Sequence, residues 1–330
     1  MNGELRLDAN EGVPAALPSR APGFLDPESA RRYPDPRRLE AMVARRLDVE
    51  AERVVITAGG DDAIDRAVRA LAPPASVVLS TEPAFVEYEA AARRSRAEFR
   101  AVHRAPDGPL PAEALGEAIR RLRPSLVIFA SPDNPGGGVT SAEELGAIAA
   151  LGVPVVFDCA YSEFAQDQSV YRKALEIPSV IRVGSFSKAW GLAGLRVGWA
   201  AASRDLAQAI RDAAPPFATA GTSIRAAMYA LENGEAAMER NVARTRLERE
   251  RLAALLASLG AHTWKAEANF VPAEVRDPAG LLSFLSGRGI RVRAWPGRRG
   301  YEKLVRITCP ADRDEFGALA KALREAKEYL

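Results

Sequence analysis

Short apolar runs at residues 53–57, 77–80, 126–130, 153–157, 180–183 and 197–201 alternate with helix-patterned segments. Runs this short and this rich in Val, Ile and Leu read as buried strands. Strand–helix alternation predicts a mostly parallel central sheet flanked by helices, an α/β fold. Ligands of such open sheets bind outside the carboxyl ends of the strands. Gly59, Asn134, Asp158 and Lys188 each stand just past one of these runs. Four chemically distinct groups are therefore expected along one sheet edge.

Lys188 sits in the densest motif of the chain, Gly184-Ser185-Phe186-Ser187-Lys188-Ala189-Trp190-Gly191-Leu192-Ala193-Gly194-Leu195-Arg196. A lysine on tight backbone beyond a buried strand can lose solvation, which favours the free, nucleophilic amine. Ser185, Ser187 and Arg196 are donors suited to a phosphate dianion. An imine-forming lysine beside a phosphate cradle is what pyridoxal phosphate requires. Ser-x-Ser-Lys alone equally describes a surface lysine beside a glycine turn, so the other strand ends have to decide.

Gly59-Gly60-Asp61-Asp62 follows a strand and opens a helix, where bare N–H groups and the helix dipole favour an anion. A capped helix without a ligand fits that segment as well. Ser131-Pro132-Asp133-Asn134-Pro135 holds an asparagine amide in a fixed direction. Asp158 at the end of a buried strand needs a partner. A pyridinium N–H is one candidate and the cap of the following turn is another.

In the N-terminal stretch, Pro14, Pro18, Pro22 and Pro27 oppose regular structure. Leu7-Asp8-Ala9-Asn10-Glu11 stands out there as polar. Arg32-Tyr33-Pro34-Asp35-Pro36 leads into a helix ending near residue 47. Beyond residue 201, helices are expected at 205–213 and 223–231, and a long one at 235–258 that bridges to a smaller unit. That unit has strand candidates at 269–272, 290–294 and 303–308, and helices at 279–286 and 312–328. The expected organisation is an arm at 1–35, a large domain at 36–234 and a small α+β domain at 235–330.

Composition removes several function classes. With 45 basic and 43 acidic residues the net charge is +2, too small to steer nucleic acid or an anionic membrane. No run approaches the length of a membrane span, and the first residues do not resemble a signal segment. His103 and His262 lie outside any ligand-spaced cluster, which argues against a histidine metal site or a Ser-His triad. G-x-S-x-G, G-x-x-x-x-G-K-[ST] and G-x-G-x-x-G are missing, the last disfavouring a nicotinamide enzyme. Cys159 and Cys309 give no reason to expect a disulfide, and a reducing, cytoplasmic setting fits.

Taken together, these motifs resemble the pyridoxal-phosphate-dependent aminotransferases of fold type I, most closely the histidinol-phosphate aminotransferase group. The likeness runs from Leu7-Asp8-Ala9-Asn10-Glu11 to Val305-Arg306-Ile307-Thr308. It implies that Lys188 carries the cofactor through an imine and moves the substrate proton. It implies that Asp158 holds the pyridine nitrogen, and that Asn134 and Tyr161 hold the ring oxygen. Gly60, Asp61, Ser185, Ser187 and Arg196 would hold the phosphate, and Phe85 would stack on the ring. Arg306 and Arg293 would grip the substrate's carboxylate or phosphate, with Asn10 also at the substrate. Tyr33 would reach the phosphate in a second copy, making the active unit a homodimer.

The chain departs from the family pattern at Cys159, Gly136, Gly60 and Phe85, and Gly12-Val13-Pro14 stands where Asn-Pro is usual. The implied reaction moves an amino group between an amino donor and a 2-oxo acid by ping-pong chemistry. The donor is histidinol phosphate, with 2-oxoglutarate as acceptor, or an aromatic or other amino acid. The same scaffold also supports a decarboxylase of a phosphorylated amino acid of the threonine-phosphate type. It also serves in regulators, which carry an added DNA-binding domain that this chain has no residues to supply.

Overall fold

A computed structural model describes residues 4–15, 17, 30–298, 300–310 and 312–330. Much of the expected arm, including Pro18, Pro22 and Pro27, lies outside the described residues. The central sheet has seven strands: β2 (Val54–Thr57), β3 (Val77–Glu82), β4 (Glu98–His103), β5 (Leu126–Ala130), β6 (Val155–Asp158), β7 (Val180–Ser185) and β8 (Gly198–Ala201). They lie in the order β2-β8-β7-β6-β5-β3-β4. β8 runs antiparallel to both β2 and β7, and every other pairing is parallel. β5, β6 and β7 are buried along their whole length. Both faces of these strands are covered by helices, which explains their unbroken apolar runs.

After α1 (Arg37–Leu47), one face of the sheet packs under α2 (Gly60–Leu71) and α3 (Val86–Arg94), where Ala63, Ile64, Val68 and Tyr88 meet Val156, Ile181 and Val183. The other face packs under α4 (Ala112–Leu122), α5 (Ala142–Ala149) and α6 (Ser169–Glu176), through Leu115, Leu145, Val170 and Tyr171. Helix starts follow local chemistry. At α5, Ser141 Oγ accepts from Glu144 N–H at 3.1 Å while Glu144 Oε2 accepts from Ser141 N–H at 2.6 Å, a reciprocal cap.

Besides a two-residue strand at His262–Thr263, three elements went unforeseen in the sequence. β4 is an edge strand whose residues are mostly exposed, with Glu98, Arg100 and His103 breaking up its apolar residues, so it lacks an apolar run. α6 is only eight residues long. The third is β1 (Leu5–Arg6), in a stretch expected to be irregular, which pairs in parallel with β11 (Ile290–Arg291). The expected strand at 290–294 is two short pieces. Beyond β11 comes β12 (Arg293–Ala294), which belongs to a different sheet, ordered β12-β13-β10-β9 with β13 (Leu304–Thr308), β10 (Phe270–Glu274) and β9 (His262–Thr263).

After α7 (Arg204–Asp212) and α8 (Gly221–Asn233) comes α9 (Glu235–Leu259), which ends at Gly260 in the left-handed conformation, φ 112°. Its Leu252 and Leu256 pack with Val271, Val305 and Ile307, with Leu281 of α10 (Pro278–Ser286), and with Leu319 and Leu323 of α11 (Arg313–Glu325). Leu7 from the N-terminal stretch joins the same cluster. Cys159 and Cys309 are both buried and free. No helix among the described residues is long and apolar enough to cross a membrane.

Candidate active site

A cavity of about 470 Å³ opens at the carboxyl ends of β2, β5, β6 and β7. Its lining includes Lys188, Asp158, Tyr161, Asn134, Gly60, Asp61, Phe85, Ser185, Ser187, Arg196, Arg306, Arg293 and Asn10, every site residue expected from the sequence except Tyr33. Strand order explains the convergence, because β5, β6 and β7 are neighbours and each ends at this edge.

Asp158 ends β6 and is buried. Its Oδ2 accepts from the Tyr88 hydroxyl at 2.8 Å and its Oδ1 from Ala160 N–H at 3.0 Å. Burial lifts the carboxyl to about 6 against the pull of these two donors. The same burial, with Asp158 alongside, pushes the Tyr88 hydroxyl well above the ordinary range.

Lys188 is half-buried on the turn after β7, and its Nζ donates to Ala9 O at 3.2 Å. Gly12 and Gly191 set this geometry. A Cβ on Gly12 would lie 1.7 Å from the carbonyl oxygen of Lys188, and one on Gly191 (φ 66°) would lie 2.2 Å from Val13 O. The segment around residues 9–15 is therefore laid directly on the lysine turn, and the glycine in the unusual Gly12-Val13-Pro14 is what allows it.

The N–H groups of Gly60 and Asp61 lie in the first turn of α2 and precede the Ala63 N–H to Gly59 O bond of 3.3 Å. Arg196 reaches across to them, and its Nη2 donates to Asp61 Oδ2 at 2.9 Å. Gly59 (φ 96°) makes room, because a Cβ there would lie 2.6 Å from that Nη2. Ser185 and Ser187 are buried beside them, with Ser185 Oγ accepting from Ser187 N–H at 3.0 Å. Bare N–H groups, two hydroxyls and a guanidinium make an anion cradle.

Across the cavity, the Arg306 side chain donates to Asn134 Oδ1 and to Asp8 O, both at 2.6 Å. Its Nε is buried without an acceptor, and burial lowers the guanidinium to about 10. The group lies over Phe270 at 5.3 Å and Trp295 at 5.7 Å. Arg293 is exposed, 5.5 Å over the same Trp295 ring. The turn carrying Asn134 is held by Asp133, whose Oδ2 accepts from Gly136 N–H at 3.0 Å and whose Oδ1 lies 3.5 Å from buried Arg104.

Asn10 Nδ2 donates to the Tyr161 hydroxyl at 3.0 Å, and the Thr308 hydroxyl donates to Asn10 Oδ1 at 2.9 Å. Asn10 itself has φ 52°, a conformation asparagine tolerates better than most residues. Tyr33 lies elsewhere. It is 79% exposed and stacked 4.3 Å from Phe217, which is 57% exposed.

Sequence reasoning missed Tyr88, Trp295, Thr308 and the Asp8 carbonyl. Tyr88 follows Phe85 by three residues, one helical turn, which was the available signal. The others come together only through the fold.

The chain matches the family model of class I and II aminotransferases over residues 2–323. It is 32% identical over 334 residues to the histidinol-phosphate aminotransferase of Roseiflexus castenholzii, covering 97% of this chain and 89% of that protein. It is 35% identical over 305 residues to histidinol-phosphate aminotransferase 2 of Caulobacter vibrioides, covering 88% and 79%. The crystal structure of histidinol-phosphate aminotransferase from Sinorhizobium meliloti in complex with pyridoxal-5'-phosphate aligns with a TM-score of 0.87 at 26% identity, over 98% of this chain and 91% of that one.

Proposed function

This chain belongs to the class I and II aminotransferases, and on that premise we propose that it moves the amino group of histidinol phosphate to a 2-oxo acid, 2-oxoglutarate being the candidate acceptor. It is a pyridoxal-phosphate-dependent aminotransferase of fold type I. The donor assignment is supported by relatives of that name at 30–35% identity. The single observation that carries it in the structure is Arg306, a buried guanidinium in the wall of the Lys188 cavity with its Nε lacking an acceptor. An anionic substrate group would fill that position.

The residues present fit the cofactor. The cradle of Gly60 and Asp61 N–H, Ser185, Ser187 and Arg196 suits a phosphate, and the missing side chain at Gly59 lets the Arg196 guanidinium lie against that turn. Pyridoxal phosphate, when bound, supplies a carbonyl that takes up the amino group and a ring that draws electrons from the substrate α-carbon. Asp158 would stay ionised beneath the ring nitrogen, with Tyr88 orienting its carboxylate. Asn134 and Tyr161 would hold the ring oxygen, and Phe85 would cover the ring face. Lys188 Nζ would take a proton from the substrate α-carbon and return one, as a general base positioned by its turn. Arg306, with Arg293 and Asn10, would orient the substrate.

We further propose a homodimer in which Tyr33 completes the phosphate cradle of the second copy. Its support is an exposed aromatic pair, Tyr33 and Phe217, outside this chain's own cavity. A half-reaction screen tests the substrate. Enzyme in the aldehyde form of its cofactor is mixed with single amino donors and no acceptor, and oxo product is counted. Histidinol phosphate should yield one equivalent per site and outpace aromatic amino acids. Carbon dioxide released from a phosphorylated amino acid would instead place the chain with the decarboxylases.

A further inference from the structure

A second cavity, of about 410 Å³, backs onto the lysine turn, lined by Phe186 and Trp190 on either side of Lys188. Ser185 faces the first cavity and Arg182 the second, as their opposite parity along β7 requires. Arg182 is 8% exposed, and its Nη1 donates to Tyr171 O at 3.0 Å. Its Nε is buried without an acceptor, and it makes no ion pair among the described residues. The guanidinium lies 5.7 Å from the Tyr171 ring centre and 5.4 Å from that of Trp199. Gly184 permits this, since a Cβ there would lie 2.1 Å from the Trp199 indole.

Glu163 in the same wall is felt by Arg182 but is not at ion-pair distance, so the buried guanidinium has an open position for an anion. Three arginines line the cavity, Arg46, Arg172 and Arg182, against Asp48 and Glu163, and Arg46 is also paired with Glu235. Burial raises the Glu163 carboxyl, while the charges of Arg182 and Arg46 and a hydrogen bond from Trp190 draw it back down. Apart from Ser162 and Gln168, the rest of the wall is aliphatic or aromatic, including Val43, Leu175 and Leu231. A bare inorganic anion would leave that surface uncovered, whereas a ring would fill it and stack with the indoles.

We propose that this cavity is a second small-molecule site that takes an aromatic carboxylate, with the carboxylate on Arg182 and the ring among Tyr171, Trp190 and Trp199. The occupant would press on the turn that carries Lys188 without entering the first cavity.

The probe is 4-fluorobenzoate, titrated into cofactor-loaded enzyme and followed by fluorine NMR and calorimetry. Arg306 offers the probe another carboxylate grip, so the measurement is repeated in Arg306→Leu. The expected result is a binding event that survives Arg306→Leu and weakens at least roughly tenfold in Arg182→Met, with circular dichroism and cofactor content unchanged. Should Arg182→Met not fold, Leu231→Trp fills the cavity from its wall and should give the same loss. The proposal is overturned if no event survives Arg306→Leu, or if the surviving event is unchanged in the folded Arg182→Met or Leu231→Trp protein. Equal affinity for inorganic phosphate would overturn the aromatic assignment.

Discussion

The Tyr88 hydroxyl donates to Asp158 Oδ2 at 2.8 Å, joining the first turn of α3 to the end of β6 deep under the cavity. Both groups are buried. The two effects on Asp158 oppose each other, since burial favours its neutral acid and the Tyr88 donor favours the carboxylate. Tyr88 therefore adjusts the charge of Asp158, the acid proposed to hold the cofactor's ring nitrogen.

Tyr88→Phe removes only the hydroxyl. A hydrogen bond to a charged group contributes about 1.5 to 3 kcal/mol, so the Asp158 carboxyl should rise by about one to two pKa units. Carbon NMR of the Asp158 carboxyl in cofactor-free protein measures this directly. A midpoint still at about 6 would mean that Tyr88 exerts no electrostatic control.

Asp158 also makes stability depend on pH. Its carboxyl lies at about 6 in the fold, against 3.8 for the ordinary group. A raised pKa means that the folded state binds the proton more tightly, so its contribution is fully present below the lower value and is lost as pH rises through the upper one. Cofactor-free protein should lose about 3 kcal/mol between these limits from this group alone. Asp158→Asn should remove that slope, leaving a variant more stable than the parent near pH 8 yet nearly inactive. Urea unfolding across pH measures the slope, and full turnover in the variant would reduce Asp158 to a turn cap.

The sheet and the placement of the site were legible in the sequence because buried parallel strands must be apolar throughout and their ends must carry whatever chemistry there is. Asn134, Asp158 and Lys188 stood out as polar groups at the ends of such runs. Tyr88 did not, because a buried tyrosine on an amphipathic helix looks like core until Asp158 is seen beneath it. β4 was missed because in Glu98–His103 the apolar Phe99, Ala101 and Val102 are interrupted by Glu98, Arg100 and His103, so no apolar run appears. The pairing of Leu5–Arg6 with Ile290–Arg291 joins opposite ends of the chain, and short two-residue strands carry no period to read.

Lys188→Ala should abolish turnover while leaving a protein that still binds the cofactor, because the phosphate cradle and Asp158 are untouched. Borohydride should fix cofactor to the parent and not to the variant, as read by mass spectrometry of the peptide containing residue 188. Fixation through a different lysine would show that Lys188 is not the attachment point.

Gly12→Ala tests the packing of the N-terminal segment on the lysine turn. The added methyl would sit 1.7 Å from the Lys188 carbonyl oxygen, a backbone atom that cannot swing away. Overpacking of this kind costs about 1 to 3 kcal/mol, and the turn itself should shift. Thermal unfolding should show the loss, and borohydride should fix less cofactor than in the parent. Unchanged values for both would mean that the segment is free to lift off the turn.

Tyr33 is exposed and stacked on Phe217, away from the cavity of its own chain, so a role at a phosphate requires a second copy. A hydroxyl donated to a phosphate contributes about 1.5 to 3 kcal/mol, so Tyr33→Phe should weaken cofactor binding by roughly 10- to 100-fold without unfolding the protein. Mixed dimers locate the contact. Chains carrying both Tyr33→Phe and Lys188→Ala are combined with parent chains, and each mixed dimer then keeps one intact lysine. If Tyr33 crosses the interface, that lysine's site receives phenylalanine from its partner, and its cofactor affinity should fall to that of the single Tyr33→Phe variant. Parent-like affinity at the intact lysine would place Tyr33 within its own chain's site or outside both. Full activity in a species that sedimentation shows to be monomeric at micromolar concentration would remove the shared site altogether.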